Sequence, residues 1–188
     1  MNRVFDEIID YIFNFEKYLN DLLEGNRRIE NLGLIGLVIT FFGSLFSLSS
    51  RLDIGVIVST LFILVNVVYA TFVIGLLAII GKENQISTPR IFWFFFSVGL
   101  FDIFVILFYP LSLFLRFLMP VIVLVIIVLK LYYLIKGIAR FFKISRGTSL
   151  VALVSPYLLL LILIILLLTS SYITISGVLS DIESSIMF

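Results

Sequence analysis

Residues 150–168 read LVALVSPYLLLLILIILLL and contain no charged side chain. This length is close to the roughly 20 apolar residues that a helix needs to cross a bilayer. Backbone groups in hydrocarbon must bond to one another, so a spanning segment is either a helix or part of a closed barrel. Barrel strands alternate polar and apolar residues, whereas Leu158–Leu168 shows no alternation. The stretch therefore predicts a transmembrane helix.

The whole chain has the composition of a membrane protein. Of its 188 residues, 62% are hydrophobic and 13% are charged, whereas a soluble domain has about 45–50% apolar and about 25% charged residues. Four further apolar segments precede the one quoted above, so we predict an all-α, polytopic helical bundle with five transmembrane helices. The predicted spans are residues 32–50, 54–80, 91–109, 118–135 and 149–171.

Residues 1–25 precede the first span and predict a cytoplasmic amphipathic helix that lies at the membrane interface. Its apolar residues recur at spacings of three and four, as on one helical face. They are Phe5, Ile8, Ile12, Phe15, Leu19 and Leu22. Gly25-Asn26 indicates the end of this helix. Residues 26–188 are then expected to form one membrane domain.

The basic residues predict the orientation of the chain. With five spans, the N-terminus and the second and fourth loops share one side, which carries ten of the 13 Lys and Arg residues. The opposite side carries only Arg51 and Arg116. Cytoplasmic loops are enriched in Lys and Arg, so we predict a cytoplasmic N-terminus and an external C-terminus. The expected location is the cytoplasmic membrane if the chain is prokaryotic, with the lipid bilayer as its first partner.

Two charged side chains fall inside predicted spans, where each charge costs roughly 2.5–3.5 kcal/mol on the insertion scale. Asp102 lies in the third span and Lys130 in the fourth. These spans are antiparallel, and a rise of 1.5 Å per residue places the two at similar depth, so we expect an ion pair. One interpretation is a static pair, or a lysine that reaches toward the interface. The other is an ion- or proton-binding site, which Asn66 of the second span would join unless it serves only as a contact between helices.

A stripe of small residues runs along the first span at spacings of three and four. Small residues let helix backbones approach closely. The stripe consists of Gly33, Gly36, Thr40, Gly43 and Ser47. It predicts packing against another helix of the same chain, with a homo-oligomer contact as the alternative.

A basic cluster is predicted on the cytoplasmic side of the fourth span. Lys136, Arg140 and Lys143 share one face of an expected helical extension, and Arg146 lies beyond. Such clusters attract anionic lipid head groups at roughly 1 kcal/mol per residue. The alternatives are a contact with the acidic N-terminal helix or with a cytoplasmic protein, or a role in topology alone.

Catalysis and metal binding find little support in the sequence. Histidine and cysteine are absent, which removes thiol nucleophiles, most zinc ligands and the usual base for a serine nucleophile. No phosphate-binding glycine loop is present. We therefore expect no enzyme activity, no metal, no other cofactor and no nucleic-acid partner.

The second half of the chain carries several marked residues within its hydrophobic pattern. A Lys82-Glu83-Asn84-Gln85 loop precedes the aromatic third span. Tyr109-Pro110 follows, where the proline predicts the start of a turn. Residues 131–149 read LYYLIKGIARFFKISRGTS and lead into a last span that contains Pro156, which predicts a kink or interruption of that helix. In these features the chain resembles the Yip domain family of small five-span membrane proteins, in the shorter form of its prokaryotic members. The resemblance implies a non-enzymatic scaffold or adaptor in membrane organisation or trafficking-like processes. The alternative is a small ion or solute transporter or channel that uses Asp102 and Lys130.

Overall fold

The computed structural model describes residues 2–48, 52–80, 86–112, 115 and 117–186. Every secondary-structure element among these residues is a helix. The elements are α1 (Asn2–Phe13), α2 (Phe15–Leu23), α3 (Glu30–Leu48), α4 (Leu52–Ile80), α5 (Thr88–Ser97), a 3₁₀ segment (Val98–Asp102), α6 (Ile103–Ser112), α7 (Leu118–Phe141) and α8 (Arg146–Ile186).

Four segments within the described residues are long and apolar enough to cross a membrane. They are Ile54–Ile80, Thr88–Leu111, Leu118–Phe141 and Arg146–Leu167, and a shorter apolar helix covers Glu30–Phe46. The third predicted span is composite, since α5, the 3₁₀ segment and α6 follow one another within Thr88–Leu111. The prediction of an all-α helical membrane bundle is confirmed, and the chain is an integral membrane protein.

The N-terminal amphipathic segment differs from the single helix that the sequence predicts. It forms α1 and α2 with a break at Asn14, whose side-chain amide donates to Asp10 Oδ1 at 3.2 Å. Its buried face also includes two tyrosines, Tyr11 and Tyr18, whereas Phe5 of the predicted stripe is exposed. The predicted stop is confirmed, because Gly25 has a φ of +80° and Asn26 N–H donates to Asp21 O at 2.9 Å. This is the left-handed helix end that favours glycine.

The two proline-containing regions are more helical than the sequence predicts. Pro110 was expected to open a turn, but it lies inside α6. Only two residues of α6 follow it, so the helix ends within one turn of the proline. Pro156, where we expected a kink or interruption, lies inside the continuous helix α8. The hydroxyl of Ser155 donates to Ala152 O at 3.0 Å, the carbonyl that the proline leaves without its usual N–H partner.

The predicted helical extension of the fourth span beyond Phe141 is wrong. Helix α7 ends at Phe141, Lys143 takes a left-handed φ of 51°, and Ile144 N–H donates to Ala139 O at 3.1 Å. This backbone pattern closes a helix, and the buried ring of Phe142 accompanies it. Lys143 therefore does not continue the helical face of Lys136 and Arg140, and Arg146 begins the next helix.

The small-residue stripe of α3 packs within the chain, against the composite segment from α5 to α6. A Cβ atom at Gly33 would overlap Trp93, and one at Gly36 would overlap the backbone of Phe96. A Cβ atom at Gly43 would be in tight contact with the Cβ of Asp102, at 3.0 Å. The side chain of Ser47, the last member of the stripe, lies outside the described residues. The stripe thus brings α3 close to the 3₁₀ segment, which sets the position of Asp102.

Candidate functional site

The polar side chains that the sequence singled out lie near the middles of their helices. Lys130 is at the centre of the 24-residue helix α7, about 18 Å from its first residue at 1.5 Å per residue. Asn66 and Thr40 occupy the corresponding positions in α4 and α3. Asp102 lies at the end of the 3₁₀ segment, close to the middle of the Thr88–Leu111 span. These groups therefore share one level of the bundle.

Asp102 is the acceptor at the centre of this polar group. Lys130 Nζ lies 2.6 Å from Asp102 Oδ2, and Thr40 Oγ1 donates to the same oxygen at 2.7 Å. Asp102 is buried, at 8% of its full exposure. The structure thus brings Asp102 and Lys130 together as an ion pair and adds a hydroxyl donor. A buried ion pair needs such added hydrogen bonds to offset the loss of hydration.

The 3₁₀ segment and the glycines explain how Thr40 reaches Asp102. Gly99 lies against Gly36 and the Thr40 hydroxyl, with no room for a Cβ atom. The 3₁₀ turn is tighter than an α-helical turn, and it ends at Asp102. The close backbone approach therefore places a short threonine side chain within hydrogen-bonding distance of the carboxylate.

A cavity of about 380 Å³ lies beside the ion pair, bounded by α3, α4, α5, the 3₁₀ segment, α7 and α8. Its polar lining includes Lys130, Asn66 and Thr40. The Asn66 amide donates to Phe62 O at 2.7 Å, which leaves its carbonyl oxygen and its second N–H for other partners. Five aromatic side chains also line the cavity. They are Phe62, Tyr69, Phe95, Phe96 and Tyr157.

The rim of the cavity faces outward from the bundle at mid-helix level. Phe62, Ile127 and Tyr157 line the cavity and are 42%, 54% and 60% exposed. Helix positions at this level face hydrocarbon in a membrane about 30 Å thick. The cavity therefore opens toward lipid. The Tyr69 hydroxyl donates to Leu153 O at 2.8 Å and joins α4 to α8 beside it.

A second set of contacts docks the N-terminal helices onto the bundle. The Tyr133 hydroxyl donates to Ile12 O at 2.6 Å, and the hydroxyl oxygens of Tyr11 and Ser97 lie 2.9 Å apart. The rings of Phe15 and Tyr133 have centroids 4.1 Å apart. These buried contacts fix α1 and α2 against α5 and α7.

Charged contacts surround this docking interface. Lys136 Nζ lies 2.5 Å from Glu16 Oε1, and Arg140 Nη2 donates to Asn20 Oδ1 at 2.7 Å. The bond from Lys136 holds the pKa of Glu16 below its usual value. Of the predicted basic cluster, Lys136 and Arg140 thus contact the N-terminal segment, which is one of the alternatives that the sequence left open.

Arg27 holds α1 and α2 to each other. Its guanidinium lies 2.6 Å from Asp10 Oδ2 and 3.1 Å from Asp21 Oδ2, and it stands over the ring of Tyr18. The hydrogen bond from Arg27, with a further one from Asn14, lowers the pKa of Asp10. The two helices therefore form one docked unit, which we call the N-terminal pair, residues 2–23.

The sequence interpretation missed several residues of these sites. Thr40 was assigned to packing alone, although a hydroxyl at mid-span is also a donor for a buried charge. Tyr69 and Tyr157 lie at mid-span, where a phenol needs a hydrogen-bond partner, and that position was a usable signal. Tyr11 and Tyr133 gave a weaker signal, because tyrosines near a membrane surface usually serve as interfacial anchors.

The fold and these two sites define an integral membrane helical bundle with a polar, cavity-lining cluster at mid-bundle and a docked N-terminal pair. The chain matches no protein-family model, no curated protein and no solved structure. Among the described residues, no group of three or more His, Cys, Asp or Glu side chains is placed to hold a metal ion.

Proposed function

We propose that this chain is a non-enzymatic membrane scaffold or adaptor of the Yip domain type, whose working surface is the N-terminal pair. The observation that carries the proposal is the docking of the pair through Tyr11, Phe15 and Tyr133. A segment held by buried hydrogen bonds and rings presents its outer side chains in a fixed geometry. Fixed presentation is what an adaptor surface requires.

The proposed topology has five spans, a cytoplasmic N-terminus and an external C-terminus. Helix α3 has 19 residues, which gives about 28 Å at 1.5 Å per residue. This length is close to the roughly 30 Å of a hydrocarbon core, so α3 is suited to be the first span and brings the number of spans to five. The basic residues then lie mostly on the side of the N-terminal pair, in agreement with the positive-inside rule.

The proposed partner is a cytoplasmic protein with a basic surface. Lys136 and Arg140 contact the N-terminal pair, which makes them less available to anionic head groups. The pair carries acidic residues at its surface, among them the exposed Asp6 and the half-buried Glu7. Phe5, Ile9 and Phe13 form an exposed stripe on α1, and such a stripe suits contact with the membrane interface.

A charge swap tests the adaptor proposal. Glu16→Lys places like charges at the Lys136 contact, and Glu16→Lys with Lys136→Glu restores the opposite charges. In native membranes, we expect crosslinking between position 6 and the proposed basic partner protein to fall in the single variant. It should recover in the swap. Equal crosslinking in wild type, single variant and swap would refute the role of the docked pair.

Cysteine accessibility tests the topology, and the absence of native cysteine makes single-cysteine variants clean. Ser145→Cys and Leu115→Cys lie in exposed connections at opposite ends of α7. We expect a membrane-impermeant thiol reagent to label Leu115→Cys in intact cells, and Ser145→Cys only after permeabilisation. The reverse pattern would overturn the proposed orientation.

A small ion or solute transporter remains the second candidate, and the position of Lys130 in a mid-membrane cavity favours it. A transporter needs a polar path to both membrane surfaces, and the cavity lining is mostly apolar. The test is the flux of small ions or solutes into proteoliposomes that contain the Asp102→Asn variant, compared with the flux into proteoliposomes that contain the wild type. Loss of flux in a correctly folded variant would support transport over the adaptor proposal, and undiminished flux would eliminate the use of Asp102.

A further inference from the structure

We propose that the mid-bundle cavity binds an uncharged, membrane-dissolved carbonyl compound with a flat conjugated head of the quinone type. This site is separate from the N-terminal pair, and the proposal does not depend on the adaptor function. It rests on the volume, the opening, the charge and the aromatic walls of the cavity.

The cavity has the size of a ligand site. Its volume of about 380 Å³ falls within the range of about 300–1,000 Å³ that ligand pockets occupy. One substituted six-membered ring with the first part of its tail fits this volume.

The opening selects a ligand that dissolves in the bilayer. The exposed lining residues are Phe62, Ile127, Leu131 and Tyr157. They lie near the middles of the apolar segments Ile54–Ile80, Leu118–Phe141 and Arg146–Leu167. A compound that enters between these side chains comes from the hydrocarbon layer. A water-soluble ion or sugar does not accumulate there, because burial of a charge or of unpaired hydroxyl groups is costly.

The charge of the site selects an uncharged acceptor. Asp102 and Lys130 form a pair with no net charge, so an anionic ligand would add an unbalanced negative charge beside Asp102. A cationic ligand would meet the ammonium group of Lys130. An ammonium has three donors, and the described residues supply Lys130 with one acceptor, Asp102 Oδ2. A neutral carbonyl oxygen can accept one of the others without a change of charge.

Asn66 supplies a second polar contact to the cavity, from another helix. Its amide uses one N–H for Phe62 O, and its other donor is available to a ligand. Lys130 on α7 and Asn66 on α4 thus provide donors from two helices. A compound with two carbonyl groups across one ring suits this arrangement better than a single ester carbonyl does.

The aromatic walls favour a flat, conjugated head over an aliphatic one. The ring of Tyr69 has its centroid 5.1 Å from that of Tyr157 and 6.3 Å from that of Phe95. Ring systems attract one another in stacked and edge-on arrangements at such distances. A quinone ring can contact these faces while its carbonyl oxygens reach Lys130 and Asn66.

Binding to the full chain in lipid nanodiscs tests the proposal. The probe is a benzoquinone with a decyl tail, and decylbenzene serves as the matched compound without carbonyl groups. Bound ligand is measured as the rise in unfolding temperature with ligand concentration, which follows from preferential binding to the folded state. We expect the quinone to stabilise the wild type in a saturable way and decylbenzene to bind at least about tenfold more weakly.

Two variants locate the site. Asn66→Leu removes a cavity donor and leaves the ion pair intact, and we expect it to weaken quinone binding about tenfold. Asp102→Asn with Lys130→Met removes both charges together, which avoids an unpaired charge. Thr71→Val is the matched control, since Thr71 lies on the exposed face of the same helix as Asn66.

Each outcome decides for or against the site. Weak binding by Asn66→Leu with normal binding by Thr71→Val supports the proposal. Equal binding of decylbenzene and the quinone would show a cavity that takes only hydrocarbon chains, which overturns the carbonyl assignment. Unchanged quinone binding in Asn66→Leu would place the ligand elsewhere. If the doubly substituted chain does not fold, Asn66→Leu alone decides.

Discussion

Replacement of Lys130 by methionine gives the strongest test of the mid-bundle ion pair. Methionine has a similar length and no charge, so the substitution leaves Asp102 as an unpaired carboxylate at the middle of a span. Removal of one partner of a buried ion pair costs about 3–5 kcal/mol. Thr40 still donates to Asp102 Oδ2 at 2.7 Å, so we expect the lower half of this range.

Removal of both charges should cost far less than removal of one. Exchange of a buried ion pair for uncharged groups is often neutral or stabilising by about 1–4 kcal/mol. Asp102→Asn keeps an oxygen that can accept from Thr40, so the doubly substituted chain retains that hydrogen bond. We therefore expect a coupling energy of at least about 2 kcal/mol between the two sites, larger than the average of about 0.6 kcal/mol for intramembrane hydrogen bonds.

The assay is the free energy of unfolding in bicelles for the wild type, the two single variants and the double variant. Trp93 is the single tryptophan, and it lies against Gly33 of α3, so its fluorescence reports the separation of α3 from α5. Thr60→Val, at an exposed position of α4, is the control for loss of a polar group. A coupling energy below about 0.6 kcal/mol would refute the ion pair as a stabilising contact in the membrane.

Three further predictions concern the helix ends and the docked pair. Ser155→Ala should destabilise the fold by about 1 kcal/mol in the same unfolding assay, because Ala152 O loses its hydroxyl donor; no change would refute this role. Lys143→Gly should stabilise the fold by roughly 0.5–1 kcal/mol, because its φ is 51°; a loss of stability would contradict this. The docking contact of Glu16 should be present above pH 4.5, the usual value of its pKa, and weaken as the pH falls through the lower pKa that Lys136 gives it in the folded chain. Cysteine crosslinking between α2 and α7 as a function of pH measures this, and Glu16→Gln should remove the dependence.

The pattern of charge and apolar residues was sufficient to predict the helices and the ion pair. Long uncharged runs have few stable alternatives in a bilayer, and two isolated charges at similar depth have few partners other than each other. The same reasoning failed at helix ends. Lys143 ends α7 with a positive φ, a position that usually holds glycine, so no residue type marked the stop.

Local hydrogen bonds explain the other differences between sequence and structure. Proline was expected to interrupt the last span, but the effect of Pro156 depends on whether another donor reaches Ala152 O. The Ser155 hydroxyl does so, and that contact depends on a side-chain rotamer that the sequence does not specify. The cavity was beyond prediction for a related reason, since it depends on how closely six segments approach one another.

The approach of α3 to the 3₁₀ segment connects the ion pair with the cavity. Gly36 and Gly99 lie in backbone contact, which draws Thr40 onto Asp102 and leaves Lys130 to reach the carboxylate from α7. A static ion pair would be complete with Asp102, Lys130 and Thr40. Asn66 is not needed for it, yet its amide lines the same cavity as the lysine. The second N–H of Asn66 and the remaining donors of Lys130 face this largely apolar space, where a polar group without a partner costs free energy, and the proposed carbonyl compound would supply acceptors for them.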